Sequence, residues 1–254
     1  MVRVENLSFS YKTGFSLKNV NFSISEGEFF GIIGPNGSGK TTLLKILVGL
    51  LKPQKGTVCL FGKIPWKTPR KEMAKIVTFV SQDFFPSYNF TVKEIVEMGR
   101  LPHLGLLEST TVEDEKIVLK SMKMTNTFQH SSRNIGTLSS GERRKVVLAK
   151  AIAQDTRIIL VDELTAHLDY SNVILVGDVM KKLQKSGKTV VAVFHDVNVA
   201  SHLCDRLAAM KDGEMIKIGA PDEVISERVL QEIYEAEFVV IKHPITGKPL
   251  AFLK

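Results

Sequence analysis

The stretch GPNGSGKT, Gly34 to Thr41, constrains this chain more than any other. It satisfies the spacing G-x-x-x-x-G-K-[ST], with the short apolar strand pattern EFFGIIG before it and the helical pattern TLLKILVGLL after it. Gly34, Gly37 and Gly39 let the backbone turn so that its amides point inward at phosphate oxygens. Pro35, Asn36 and Ser38 fill the loop between them, and the following helix adds its positive end. Lys40 is placed to reach β- and γ-phosphates, the Thr41 hydroxyl to bind magnesium, and Thr42 to bond a phosphate oxygen. A glycine-rich turn that merely starts a helix needs none of this spacing, so the motif predicts a nucleoside triphosphate site.

Strand patterns surround that loop. VRVENLSFSY and FSLKNVNFSISEGE read as strands joined by KTG, and TVCLFG and KIVTFVSQ follow the first helix. From about Pro86 to Asp155 the spacing turns helical in TVKEIVEMGR, TVEDEKIVLKSMKM and SSGERRKVVLAKAIAQ, with a cap pattern from Thr111 to Asp114. RIILVDE, TVVAVFHD and RLAAMKDGEMIKIG restore strand patterns, with helical SNVILVGDVMKKLQKSG between the first two. Short strands alternating with helices imply an α/β fold with a mostly parallel, doubly wound sheet, the central helical block being an insertion on one edge.

Composition narrows the setting. With 44% apolar and 24% charged residues among 254, the chain is neither disordered nor collagen-like. A formal net charge of +7 is compatible with nucleic acid or an anionic membrane, and more simply with a lysine-rich solvated surface. Cys59 and Cys204 stand alone, which fits a reducing compartment and supports neither a disulfide framework nor a zinc site. MVRVENLSFSYKTG opens like a strand, without a signal-peptide core. The longest apolar runs fall short of the ~20 residues of a spanning helix, so a soluble chain that meets a membrane only through a partner is expected.

In RIILVDELTAHLD, four apolar residues lead into Asp162 and Glu163. In a phosphate-loop fold, a neighbouring parallel strand that ends in Asp places its carboxylate near magnesium, which suits Asp162. Glu163 leaves the strand in another direction and can accept a proton from the attacking water or hold that water in line. Both carboxylates also suit the start of a helix. His195, closing TVVAVFHD, can contact the γ-phosphate or the attacking water, or be structural. Gln82, closing KIVTFVSQ, suits a magnesium or water contact. In LSSGERRKVVLAKAIA, Ser139 and Glu142 form a capping-box pattern, and Ser139 with the amides of Ser140 and Gly141 forms a potential anion site.

The motifs together resemble the nucleotide-binding subunits of ABC transporters, in the expected order and over nearly the full length. Tyr11 matches the aromatic that stacks on adenine, Gly34 to Thr42 the Walker A loop, and Gln82 the Q-loop glutamine. LSSGE, Leu138 to Glu142, matches the signature; Ile158 to Asp162 matches Walker B, with Glu163 the catalytic base; Ala166 to Asp169 matches the D-loop, and His195 the switch histidine. The resemblance implies a P-loop NTPase (RecA-like) core with an N-terminal antiparallel β subdomain and an inserted α-helical subdomain. One domain, 1–254, would then comprise a nucleotide-binding core (1–85 and 156–225), a helical signature subdomain (86–155) and a C-terminal extension (226–254). It also implies ATP and Mg²⁺ as cofactors, with Thr41, Gln82 and Asp162 toward the metal. Two copies would form a head-to-tail sandwich in which LSSGE of one closes over the γ-phosphate held by Walker A of the other.

The segment from Gln82 through Phe84, Phe85, Pro86, Tyr88 and Phe90 would receive the coupling helix of a membrane permease, although these aromatics equally suit a core. EMGRLPHLG, AHLD, VFHDVNVASHLCDRLAAMKDGEMIKIGAP and HPITGKPLAF are similar to importers of iron-siderophore, haem and cobalamin, which implies a substrate-binding protein as an indirect partner and a place on the cytoplasmic face of the membrane. The sequence departs from the family at Ser140, usually glycine, at Glu142, most often glutamine, and at Leu164, usually proline; Leu164 restores an N–H and frees φ. Ser140 and Leu164 leave room for a nucleotide-dependent regulator with little hydrolysis. A soluble ABC-type ATPase acting on DNA or ribosomes is the other alternative. Its long coiled coil or second cassette has no counterpart in 254 residues, and no nucleic-acid partner is expected.

Overall fold

The computed structural model describes residues 1–12, 14–81, 90–105, 108–163 and 170–254. In chain order the elements are β1 (Val2–Ser10), β2 (Ser16–Ile24), β3 (Phe29–Ile33), α1 (Lys40–Leu47), β4 (Lys55–Leu60), α2 (Arg70–Met73), β5 (Val77–Val80), α3 (Val92–Glu97), α4 (Val112–Met124) and α5 (Ser140–Ala153). There follow β6 (Ile158–Val161), α6 (Tyr170–Lys185), β7 (Thr189–Val193), α7 (Val197–Leu203), β8 (Arg206–Lys211), β9 (Glu214–Gly219), α8 (Pro221–Val224), α9 (Glu227–Tyr234), β10 (Phe238–Lys242) and β11 (Pro249–Leu253). The central sheet has the order β5-β6-β7-β3-β8-β9, parallel except for β9. A separate antiparallel sheet has the order β2-β1-β4, and β10 and β11 form a hairpin. This is the phosphate-loop α/β architecture that the sequence leads one to expect.

β3, β6 and β7 are buried along their whole length, which is why they run apolar instead of alternating. Their side chains still divide between two cores. Phe29, Ile33, Ile159, Val161, Val190 and Ala192 pack with residues of α6, α7 and α9. Phe30, Ile32, Ile158, Leu160, Val191 and Val193 pack with α1 and the β2-β1-β4 sheet. Full burial of each large apolar side chain is worth about 1.5–3 kcal/mol, so the ends of these three strands form a stiff platform.

RLAAMKDGEMIKIG, which reads as one extended stretch, is a hairpin. Asp212 and Gly213 both have positive φ, 48° and 80°, the geometry that an Asp-Gly turn favours, and they reverse the chain so that β9 runs antiparallel to β8. The polar Lys211-Asp212-Gly213-Glu214 turn interrupts two apolar runs, so the Asp-Gly pair is the local mark of the reversal.

Helices α3, α4 and α5 each begin with a capping box, Thr91 with Glu94, Thr111 with Asp114 and Ser139 with Glu142. They enclose a cluster of their own that includes Val92, Ile95, Val118, Met122, Val146 and Ala149. One buried ion pair ties them together: Arg100 Nε lies 2.7 Å from Asp114 Oδ1, and Arg100 Nη1 donates to the Ala153 carbonyl at 2.8 Å. The Thr111 N–H, the Thr111 hydroxyl and then Arg100 hold the Asp114 carboxyl at about 2.

Because that value lies below the ordinary aspartate range, the contribution of Asp114 is complete above pH ~4 and fades as the pH falls toward 2. Arg100→Ala leaves a buried carboxylate without its cation and is expected to lower the unfolding free energy by about 3 kcal/mol in urea denaturation at pH 7. A loss below ~1 kcal/mol would show that the pair is not a structural clamp.

Cys59 and Cys204 are both free. Among the described residues, no helix is long and apolar enough to cross a membrane.

Candidate nucleotide-binding and hydrolysis site

The phosphate loop leaves the end of β3 and enters α1. Gly34 has φ 148°, and a Cβ there would lie 2.1 Å from the Met210 carbonyl oxygen of β8; Gly39, the N-cap of α1, has φ 106°, and a Cβ there would meet Leu17 Cδ2 at 2.5 Å and Phe15 Cζ at 2.8 Å. Both positions therefore require glycine for conformation and for space. Gly39 has no side chain with which to cap α1, so the helix presents its first N–H groups and positive end at the loop. Asn36 and Gly37 are exposed, Pro35 half-buried and Ser38 buried.

Lys40 is only 6% exposed. Its Nζ donates to the Gly34 and Pro35 carbonyls, each at 2.8 Å, and to Ser38 Oγ at 3.4 Å. Burial lowers its pKa from the ordinary lysine value, and the carboxylates of Asp162 and Glu163 act in the opposite direction. The ammonium is thus held inside the loop, where its charge favours anionic oxygens.

β6 delivers the acidic pair, and its two members go to different partners. Asp162 is buried, and its Oδ1 accepts a hydrogen bond from the Thr41 hydroxyl at 3.1 Å. Burial pushes its pKa up against that hydrogen bond, so the carboxylate is one that a cation would stabilise. Glu163 has φ 55°, a left-handed conformation that costs a residue with a side chain about 1 kcal/mol or more. The turn swings its carboxylate away from Asp162 to His195, whose Nε2 lies 2.7 Å from Glu163 Oε1. His195 follows β7, the strand next to β6, and the Phe194 N–H donates to the Ile32 carbonyl at 3.0 Å, fixing that exit beside β3.

The geometry therefore separates one carboxylate beside the Thr41 hydroxyl from another beside an imidazole. Among the described residues, no group of three or more His, Cys, Asp and Glu side chains could hold a metal. Thr41 and Asp162 supply two hard oxygen donors, a partial shell of the kind completed by phosphate oxygens and water.

Tyr11 is half-buried at the end of β1, edge-on to Phe9 with ring centroids 4.8 Å apart. Thr42 is buried in α1. Ser139 and Ser140 differ from their helix neighbours: both are exposed at the start of α5, whereas Gly141 and Glu142 are half-buried beside them, and the Ser139 hydroxyl accepts the Glu142 N–H. The Ser140 Cβ that replaces a glycine hydrogen thus points to no crowded interior. Gln82, Phe84, Phe85, Pro86, Tyr88, Leu164 and the Ala166 to Asp169 segment lie outside the described residues.

Two further aromatics border the loop. Phe15 reaches the N-cap of α1 through the Gly39 contact above. Tyr234, at the end of α9, has a buried hydroxyl with no hydrogen-bond partner. Burial pushes the phenol up to about 12; Asp196 acts in the same direction, and the nearby Gly34 backbone opposes it without reaching hydrogen-bond geometry. No local motif marks either residue, since both reach the loop through tertiary packing.

The comparisons with known proteins agree with this geometry. Residues 17–166 match the ABC transporter family model. The chain is 37% identical over 255 residues to the uncharacterized ABC transporter ATP-binding protein YvrA of Bacillus subtilis (strain 168), covering all of this chain but 58% of that protein. It is 35% identical over 250 residues to the ferric enterobactin transport ATP-binding protein FepC of Escherichia coli (strain K12), covering 98% of this chain and 92% of FepC. Among solved structures, a dimeric ATP-binding cassette in a post-hydrolysis state with ADP and Pi superposes with a TM-score of 0.78 at 34% identity, covering 87% of this chain and 98% of that one. A phosphate loop, an acidic strand end and a histidine-bearing strand end meet at the C-terminal ends of three adjacent strands, and the family match spans more than half of the chain: this protein belongs to the ABC transporter family and is one of its ATP-binding, ATP-hydrolysing cassettes.

Proposed function

We propose that this cassette powers an importer of metal-chelate type cargo, an iron-siderophore, haem or cobalamin, working as a homodimer beneath a separate membrane permease. The observation that carries the reading is the 35% identity to a ferric enterobactin transport subunit across 98% of this chain and 92% of that one. The segments EMGRLPHLG and HPITGKPLAF, outside the catalytic motifs, point to the same group.

In the proposed working state, two copies sandwich two ATP molecules. Tyr11 stacks on adenine, the loop's backbone N–H groups, which Pro35 lacks, and the Lys40 ammonium hold the phosphates, and Thr42 adds a hydroxyl. Thr41 and Asp162, with Gln82, would hold Mg²⁺, which neutralises charge on the phosphate oxygens when bound. Glu163 accepts the proton of the attacking water, and His195 Nε2, 2.7 Å from Glu163 Oε1, fixes the direction of that carboxylate. Ser139 and the amides of Ser140 and Gly141 approach the γ-phosphate held by the other copy; the exposure of Ser140 in the single chain suits a surface that a second copy covers. Asp169 would sit at the same dimer interface.

A cleft of about 310 Å³ between the β5 side of the core and α5, lined by Arg70, Met73, Phe79, Val147 and Lys150, has as one wall the strand that leads to Gln82 and suits the permease's cytoplasmic helix. The cassette then works at the cytoplasmic face of the membrane, and a substrate-binding protein acts on it only through the permease.

The test is co-expression with candidate permeases and purification from solubilised membranes. A stable complex with a multi-spanning permease, whose ATPase rises when loaded binding protein is added, is the expected result. Tight, steeply salt-dependent binding to duplex DNA without a membrane partner would overturn it.

A further inference from the structure

The fifth residue of the signature is a carboxylate, Glu142, one helical turn from the place where the proposed function puts a γ-phosphate. A free negative charge there would oppose an anion at the start of α5. The structure shows where that charge goes. Glu142 Oε2 accepts the Ser139 N–H at 2.8 Å, and Glu142 Oε1 lies 3.3 Å from His130 Nε2. On the far side of the imidazole, Arg133 Nη1 lies 3.4 Å from His130 Nδ1, and Arg133 Nη2 donates to the Thr137 carbonyl at 3.0 Å.

A guanidinium can only donate, so Nδ1 accepts and Nε2 carries the proton toward Glu142. The partners therefore assign a chain that runs from Arg133 through His130 to Glu142 and ends on the Ser139 backbone. Glu142 is held below its usual pKa, first by the Ser139 N–H and hydroxyl and, further off, by the Arg133 guanidinium behind the imidazole.

The chain also sets the state of the Ser139 hydroxyl. Ser139 Oγ accepts the Glu142 N–H at 3.2 Å, which fixes the hydroxyl at the start of α5, while its hydrogen faces the Glu142 carboxylate in the single chain. If Glu142 swung outward, the Ser139 N–H would lose its carboxylate and a negative charge would approach the anion site. His130 is the group that prevents this: it belongs to the turn Phe128–His130 before the signature and reaches back over α5.

We propose that His130, backed by Arg133, is a positioning residue for ATP hydrolysis: it draws the Glu142 carboxylate away from the partner copy's γ-phosphate, so that the Ser139 hydroxyl can turn to that phosphate without a competing negative charge beside it. This rests on the reading that the start of α5 closes over ATP held by a second copy. His130 touches neither nucleotide nor water itself.

The experiment uses the full chain and steady-state phosphate release over a range of ATP concentrations. His130→Ala is expected to raise the ATP concentration for half-maximal turnover roughly tenfold, with a smaller change in kcat, because one charge-assisted hydrogen bond is removed from the closed state. Binding of a fluorescent ATP analogue to the separated cassette, which reports only the phosphate loop, is expected to stay at the parental value.

The diagnostic variant is His130→Ala with Glu142→Gln. Without the carboxylate there is nothing to restrain, so the double variant is expected to match Glu142→Gln alone within about twofold. Equal losses from His130→Ala whether or not Glu142→Gln is also present, or parental kinetics for His130→Ala, would overturn the inference. Ser139→Ala separates the two levels of argument: if it leaves turnover unchanged, the sandwich reading fails. If it suppresses turnover while His130→Ala does nothing, only the role of His130 fails. A folding artefact is identified by His130→Gln, whose amide N–H replaces the imidazole donor and is expected to recover most of the loss.

Discussion

Glu163→Gln lowers ATP hydrolysis by about 10²-fold or more and leaves ATP binding at the parental level. The substitution is informative because it changes little else. The amide oxygen of glutamine can still accept the His195 Nε2–H that now bridges 2.7 Å to Glu163 Oε1, and the left-handed backbone at residue 163 is kept. What disappears is the capacity to take a proton from water. Asp162, hydrogen-bonded to Thr41, is untouched. Phosphate release at saturating ATP, set beside an equilibrium nucleotide titration, separates the two quantities; unchanged turnover would remove Glu163 from the role of base.

Lys40→Ala has the second large effect, and it falls on binding. The ammonium is buried and carries charge into a loop that otherwise offers amides. Charge-assisted hydrogen bonds of this kind are worth about 1.5–3 kcal/mol each, so an ATP affinity at least ~10²-fold lower is expected when two phosphate contacts are lost. The variant also loses the two bonds that tie Nζ to the Gly34 and Pro35 carbonyls, so the loop is less ordered before ATP arrives. A nucleotide titration together with a thermal melt distinguishes loss of the contact from loss of the fold, because α1 and its buried Leu43, Leu44, Ile46 and Leu47 remain. Parental affinity in a folded variant would sink the assignment of this lysine.

Much of this site was legible in the chain because its parts are local. A phosphate loop needs glycines, a lysine and a threonine at fixed offsets, and a buried strand needs an unbroken apolar run; both signals lie within a few residues of one another. The capping boxes at Thr91, Thr111 and Ser139 are likewise four-residue signals, two of them evident in the sequence itself. What was hidden depends on residues far apart. The contact of His130 with Glu142 spans a turn that no periodicity encodes, and Tyr234 arrives beside Gly34 from the other end of the chain. The reversal at Asp212 and Gly213, by contrast, carries a local signal, an Asp-Gly pair between two apolar runs, and only the place of β9 in the sheet depends on residues elsewhere. The left-handed Glu163 was hidden differently: nothing in the identity of a glutamate announces such a backbone, and the direction of its carboxylate depends on it.

β3 sits between β7 and β8, and its loop is braced from the same late segments: the Gly213 N–H donates to the Ser38 carbonyl at 3.1 Å, and the Met210 carbonyl closes on Gly34. During synthesis the phosphate loop therefore emerges well before the strands and the turn that brace it. A nascent chain that lacks β7 and β8 carries the whole Walker A sequence with only its Phe15 and Leu17 side in place, and the brace that holds Gly34 and Ser38 arrives with the Asp212-Gly213 turn.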